Sequence, residues 1–387
     1  MFSSRVPDDR RPNRLAQALA SARARGSLID LTLSNPTQAG IDYPRDLLAP
    51  LASEASLIYR PEPFGSKTAR EAIAADYARR GVLADADRIV LTASTSEAYS
   101  TLFKLLCEPA RSQVLTPVPS YPLFDHLTRL DGVEARSYPL EYHGTWSIAF
   151  DQLDRAWTGD TAAVLAVSPN NPTGSVLTPR DADELAGRCE DRQTALILDE
   201  VFCEYPLGDP LGEPRALAGP ACLLFRLGGL SKSVGLPQLK LGWIALDGPE
   251  DLVAESLDRL EFICDTYLSV STPVQVAAPA LLDRGAEIRQ RILDRVRSNY
   301  ATLQTAVARA SGVTLLRADG GWSAVLRVPA TRPEEELVLD LLEHDVVVHP
   351  GYFFDFPSEA FLVVSLLLDP GRFARGVQRI LERVDAS

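Results

Sequence analysis

Residues 228–243 read GGLSKSVGLPQLKLGW, and the lysine near their centre decides how the rest of the chain is read. Lys232 stands in a tight Gly/Ser loop, with a second cation, Lys240, eight residues on. Glycine carries no Cβ, so the backbone can turn sharply there and approach a ligand closely. A lysine withdrawn from water loses its proton readily and can then attack an aldehyde. The tripeptide Ser-Lys-Ser alone is more often a solvated surface lysine, so the flanking sequence must arbitrate.

Apolar runs bracket this loop: CLLFRL (222–227) before it and LGWIAL (241–246) after it. Further upstream come RIVLTA (88–93), SQVLTPV (112–118), AAVLAVSP (162–169) and ALILDE (195–200), separated by helical stretches from about residue 46 to 280. Short, nearly continuous apolar runs alternating with helices predict an α/β domain around a mostly parallel, buried sheet. Toward the N-terminus, Asn13 to Arg25 reads as an amphipathic helix closed by Gly26, with IDLTL following as a short strand. Residues 281–311 form one long amphipathic helical pattern that should bridge two domains. Beyond it, GGWSAVLRVP, DVVVHPG and AFLVVSLLL read as strands and GRFARGVQRILERV as a closing helix, an α+β arrangement. The expected organisation is an N-terminal arm with part of a small domain at 1–45, a large domain at 46–285, and a linking helix with the C-terminal small domain at 286–387.

The chain has 387 residues, 46% of them hydrophobic, enough for one large core and a smaller second one. Its net charge of −13 would repel a phosphate backbone, which argues against nucleic acid as a partner. Five widely spaced cysteines with no CxxC pair suggest neither a disulfide framework nor a zinc site, and the four histidines show no metal-ligand spacing, so no metal is expected. The charged N-terminus lacks an apolar core and no uncharged apolar run nears 18 residues, so no membrane association and a cytoplasmic location are expected.

Four polar residues fall just past the carboxyl ends of predicted core strands: Ser94, Asn171, Asp199 and Lys232. In open α/β sheets that edge is where ligands bind. Ser94, Thr95 and Ser96 open a helix, with Glu97 completing a capping box, and free amides at a helix N-terminus suit a phosphate. A plain helix cap would explain them as well. SPNNPTG (168–174) makes a fixed turn whose Asn171 amide can donate to a ring oxygen, or is an ordinary Asn/Pro/Gly turn. Asp199 at the tip of an apolar strand is costly unless paired, and a protonated pyridine nitrogen or a helix cap would satisfy it. Tyr121, in VPSYPLF, could lie flat on an aromatic ring or belong to the core.

In this order, the strings YRPEPFGS, TASTSEA, VPSYPLF, SPNNPTG, LDE, LSK with KLGW, GGW and VVVHPGYFF resemble the class I/II aminotransferases of aspartate-aminotransferase type over essentially the whole chain. These are pyridoxal 5'-phosphate (PLP) enzymes of fold type I. The resemblance implies a large domain with a mostly parallel, seven-stranded-type sheet plus a smaller α+β domain. It implies a transaminase moving an amino group between an amine or amino acid and a keto or aldehyde acceptor, with Lys232 as the Schiff-base lysine. By the same resemblance Asp199 pairs the pyridine nitrogen, Asn171 contacts the ring hydroxyl and Tyr121 stacks on the ring. Ser94, Thr95, Ser96 and Lys240 would hold the phosphate. Tyr59 would reach the phosphate of a neighbouring subunit, which implies a homodimer with shared sites. A PLP-dependent lyase or decarboxylase on the same fold, or a binding homologue without turnover, are the alternatives. GGLSKS and FGSKT lack the glycine directly before lysine that a nucleotide phosphate loop requires.

Departures from the family pattern line the expected pocket. Lys240 stands where arginine is usual and Gly229 where serine is, so the phosphate should be held less rigidly. Phe202 replaces a tyrosine that donates to the ring hydroxyl, which should raise the pKa of the cofactor imine. Val363 occupies the place of the arginine that grips a substrate α-carboxylate, and Ser34 that of a nearby glycine. Either the substrate lacks a conventional α-carboxylate, or another cation, among Arg60, Arg226, Arg327 and His349, holds it.

Overall fold

The computed structural model describes residues 2–7, 11–26, 28–208, 220–358 and 360–385. The first helix, Arg14–Arg25, begins where the Asn13 side chain accepts from the Ala16 amide and ends at Gly26 with φ of 89°. That is a polar N-cap and a left-handed glycine stop, as the sequence predicts. Strand β1 (Ile29–Asp30) follows.

Eight strands build the large sheet: β2 (Ile89–Thr92), β3 (Gln113–Val118), β4 (Glu134–Tyr142), β5 (Trp146–Ile148), β6 (Thr161–Val167), β7 (Ala195–Asp199), β8 (Leu224–Gly229) and β9 (Gly242–Asp247). Their spatial order is β2-β9-β8-β7-β6-β3-β4-β5. The five central strands β8, β7, β6, β3 and β4 run parallel, whereas β9 and β5 are antiparallel to their neighbours. The mostly parallel sheet is as expected, and the short β5 adds an eighth strand through a hairpin with β4. Central strands are buried on both faces, so both residue sets are apolar. Ile197 and Phe225 pack into one core with the helices Thr95–Leu106 and Glu250–Tyr267, while Leu196, Leu198 and Leu224 pack into another with the helix Pro179–Asp191.

The linking helix is longer than the sequence pattern suggested, running Thr272–Val307 with Pro279 inside it. It packs closely on the segment after Lys232: a Cβ on Gly285 would stand 2.6 Å from Val234. The small domain holds an antiparallel sheet in the order β10-β11-β14-β13, formed by β10 (Thr314–Leu315), β11 (Ser323–Arg327), β13 (His349–Pro350) and β14 (Phe361–Ser365). Strand β12 (Val346–Val347) pairs in parallel with β1, which ties the N-terminal segment to the C-terminal part of the chain. The helices Glu334–Glu343 and Pro370–Asp385 complete it. No helix among the described residues is long and apolar enough to cross a membrane.

Candidate active site

The sheet register brings the strand ends to one edge. Gly229 of β8 faces Gly242 of β9, which faces Thr92 of β2, and Asp199 of β7 stands between Val167 of β6 and Leu227 of β8. Lys232 follows β8 in a single helical turn, Leu230–Ser233, rather than in an open loop. The turn is fixed from several sides. Ser233 Oγ donates to the Gly229 carbonyl at 3.0 Å, Arg289 Nε of the linking helix donates to the Ser233 carbonyl at 2.9 Å, and the Tyr205 hydroxyl donates to the Lys232 carbonyl. Arg289 is held in turn by Asp76, at 3.2 Å.

Lys232 as a whole residue is half-buried, but its amine end is withdrawn from water, 4.9 Å from the centre of the Trp322 ring and 5.6 Å from that of Phe202. Desolvation lowers its pKa from 10.5 to about 8, with the Asp199 charge opposing. Asp199 is buried at the tip of β7, where the sequence puts it. Burial pushes its carboxyl up to about 6 against two donors: the Tyr99 hydroxyl to Oδ2 at 2.6 Å and the Val201 amide to Oδ1 at 3.0 Å.

Ser94 caps the helix Thr95–Leu106 by accepting from the Glu97 amide at 3.2 Å, while the Glu97 carboxylate accepts from the Ala93 amide. The amides of Thr95 and Ser96 lie in the first turn, which has no intrahelical acceptor for them. Strand β9 crosses close to this terminus: a Cβ on Gly242 would lie 2.9 Å from the Ser94 carbonyl carbon and 3.0 Å from the Thr95 nitrogen. Asn171 accepts from Ser323 Oγ of β11 at 3.2 Å, which links the two domains at the site. Its neighbour Asn170 takes a structural role, buried and bonded to Ser120, Thr173 and the Pro119 carbonyl. Tyr121 is exposed, beside Ser120, whose amide donates to the Phe354 carbonyl. Lys240 is exposed in the left-handed region with φ of 52°. Tyr59 and Arg60 lie in a groove shared with Leu268, Ser269 and Val270, with Tyr59 71% exposed.

Four contributors were not singled out from sequence: Tyr99, Tyr205, Trp322 and Arg289. Tyr99, Tyr205 and Arg289 read as core or helix-face residues, and only their long-range partners give them a role. Trp322 alone carried a local signal, in the GGW string.

The four cations considered for a carboxylate separate clearly. Arg226 is buried and paired with Glu200 at 2.8 Å, Arg327 is exposed at the end of β11, and Arg60 lies in the outer groove. His349 of β13 stands directly across from Val363 of β14. Val363 itself is 2% exposed, packed in a cluster with Trp146, Leu316, Val325, Phe354 and Phe356.

These residues fit PLP. The Lys232 amine has no hydrogen bond or ion pair among the described residues, so it is free to join an aldehyde, and a buried carboxylate suits a ring nitrogen. Among the described residues, no group of three or more His, Cys, Asp and Glu is placed to hold a metal ion.

Comparison with known proteins gives the same chemistry. Residues 34–380 match the family model for aminotransferase class I and II. The chain is 24% identical over 360 residues to the glutamate-pyruvate aminotransferase AlaA of Haemophilus influenzae, covering 90% of this chain and 89% of that protein. It is 26% identical over 354 residues to the tyrosine aminotransferase of Homo sapiens, covering 88% and 77%. The solved alanine aminotransferase from Pyrococcus furiosus superposes with a TM-score of 0.86 at 20% identity, over 97% of this chain and all of that one, which shows a shared fold. The chain therefore belongs to the class I and II aminotransferases, a family of PLP-dependent transaminases.

Proposed function

We infer that this transaminase works on amines, and on keto or aldehyde partners, that present a neutral or apolar group where relatives bind an α-carboxylate. The observation that carries this reading is the setting of Val363, buried against Val325, Trp146, Leu316, Phe354 and Phe356. A carboxylate pressed against that wall would lose its hydration with no cation to replace it, at a cost of roughly several kcal/mol. The polar group beside Val363 is His349, whose imidazole is lowered by burial, with the Asp30 carboxylate opposing, so it is neutral near pH 7. It offers a hydrogen bond, not a charge.

When bound, PLP supplies the aldehyde and an electron-accepting ring. Lys232 Nζ would hold the cofactor through that aldehyde, and an amine with a pKa of about 8 suits removing and returning a proton at the substrate carbon. Asp199 would take the ring nitrogen, Asn171 the ring hydroxyl and Tyr121 the ring face. Ser94, Thr95, Ser96 and Lys240 would hold the phosphate. Tyr59 completes the site of a second copy in a homodimer, a reading supported by exposed Leu57, Ile58 and Tyr59 and by exposed Phe262 and Tyr267.

The test is a single-turnover screen of the PLP-loaded enzyme, without acceptor, against primary amines and against α-amino acids of similar side chain. Amines lacking the carboxylate should convert the cofactor to its amine form faster at equal concentration, and Val363→Arg should reverse the order. Conversion by α-amino acids alone would overturn the reading, as would sustained release of ammonia or CO₂.

A further inference from the structure

We propose that Tyr99 is a positioning residue for amino-group transfer: its hydroxyl fixes the Asp199 carboxylate so that the proton between that carboxylate and the cofactor ring nitrogen stays on the ring. This rests on the reading that Asp199 faces the ring nitrogen.

Tyr99 lies in the helix whose N-terminus carries Ser94, Thr95 and Ser96, one turn inward, so one rigid element reaches both the phosphate end and the Asp199 end of the site. Its ring is 3% exposed and is wedged by Phe124, edge-on at 5.4 Å, and by Phe103 at 6.2 Å. A buried tyrosine hydroxyl needs a partner. Here the partner is Asp199 Oδ2, at 2.6 Å, the length of a charge-assisted bond. The Val201 amide serves Oδ1, so each carboxylate oxygen has one protein donor and the remaining lone pairs are left for the ring.

Burial raises Tyr99 well above its ordinary value, so the phenol keeps its proton and is the donor. Burial also raises Asp199, and the Tyr99 bond is the largest effect opposing that rise. Without the hydroxyl, Oδ2 has no donor among the described residues and the carboxylate becomes more basic. A more basic carboxylate draws the bridging proton away from the ring and weakens the ring as an electron sink. Phe103 and Phe124, the aromatic rings against Tyr99, carry no charge, and the titratable or charged groups that act on Asp199 are Tyr99, Glu200 and Lys232.

The experiment uses holoenzyme loaded with PLP labelled with ¹⁵N in the ring. In the wild type the ring nitrogen should resonate as protonated. Tyr99→Phe should move the signal toward the unprotonated position and slow the amino-group half-reaction about tenfold to a hundredfold, the effect of one hydrogen bond to a charged group. Replacing Tyr99 by 3,5-difluorotyrosine, a stronger donor of nearly the same shape, should keep the signal at the protonated position. Phe124→Leu, which loosens the packing but keeps the hydroxyl, should leave it in place. The proposal is overturned if Tyr99→Phe leaves the signal unmoved while Asp199→Ala shifts it, if difluorotyrosine moves the signal toward the unprotonated position, or if Phe124→Leu shifts it as far as Tyr99→Phe. An Asp199→Ala protein with an unmoved signal would instead overturn the underlying assignment of Asp199.

Discussion

Lys232 is held between Phe202 and Trp322, and desolvation there keeps its amine near a pKa of about 8 instead of 10.5. Between these two values the unfolded chain binds a proton that the folded chain does not, so this group makes stability rise with pH across that window. Below pH 8 the cost of burying the charged amine is complete, on the order of 3 kcal/mol. Lys232→Met in the cofactor-free protein should therefore raise stability at pH 7 by up to about 3 kcal/mol, with the gain shrinking toward pH 10.5. Urea unfolding at pH 7 and pH 10 measures this, and an equal gain at both would show that packing rather than charge is responsible. The lysine, the aspartate and the asparagine could be expected from the chain because each sits at a fixed offset from an apolar strand. Tyr99 could not, since nothing local in STSEAYS separates a donor to residue 199 from a core tyrosine.

At the scale of elements, the junction between β9 and the helix Thr95–Leu106 has little room to spare. Gly242→Ala would press a methyl onto the backbone of Ser94 and Thr95, neither of which can swing aside as a side chain does. The expected result is a loss of about 1–3 kcal/mol and faster PLP dissociation, because the helix terminus itself must shift. Thermal unfolding and the cofactor off-rate test this, and a variant unchanged in both would mean the strand gives way at no cost. The central strands were legible because burial on both faces leaves continuous apolar runs. Strands β4 and β5 were not, since EARSYPLEY is largely half-exposed and carries no clean period. The start of the linking helix was also missed: Pro279 sits within it, and a proline in a helical pattern reads as a boundary.

For the whole molecule, the proposed homodimer with shared sites predicts complementation. Mixing Lys232→Ala protomers with Tyr59→Ala protomers under exchange should give hybrids with one intact site of two, and about a quarter of wild-type activity at equal proportions. Activity no higher than the average of the two parents would sink the shared-site arrangement, and sedimentation of the unmodified protein as a monomer would sink the dimer itself.

The sequence by itself determined the layer architecture, through apolar runs between helices, and the family's PLP chemistry, through the order of its motifs along the chain: a lysine between glycines and polar residues at strand tips. What surrounds Val363 and what donates to Asp199 were decided only in three dimensions. Those answers depend on pairs 14, 100 or more positions apart, such as His349 with Val363 and Tyr99 with Asp199. Contacts of that range are set by sheet register and helix packing, and no short stretch of chain encodes them.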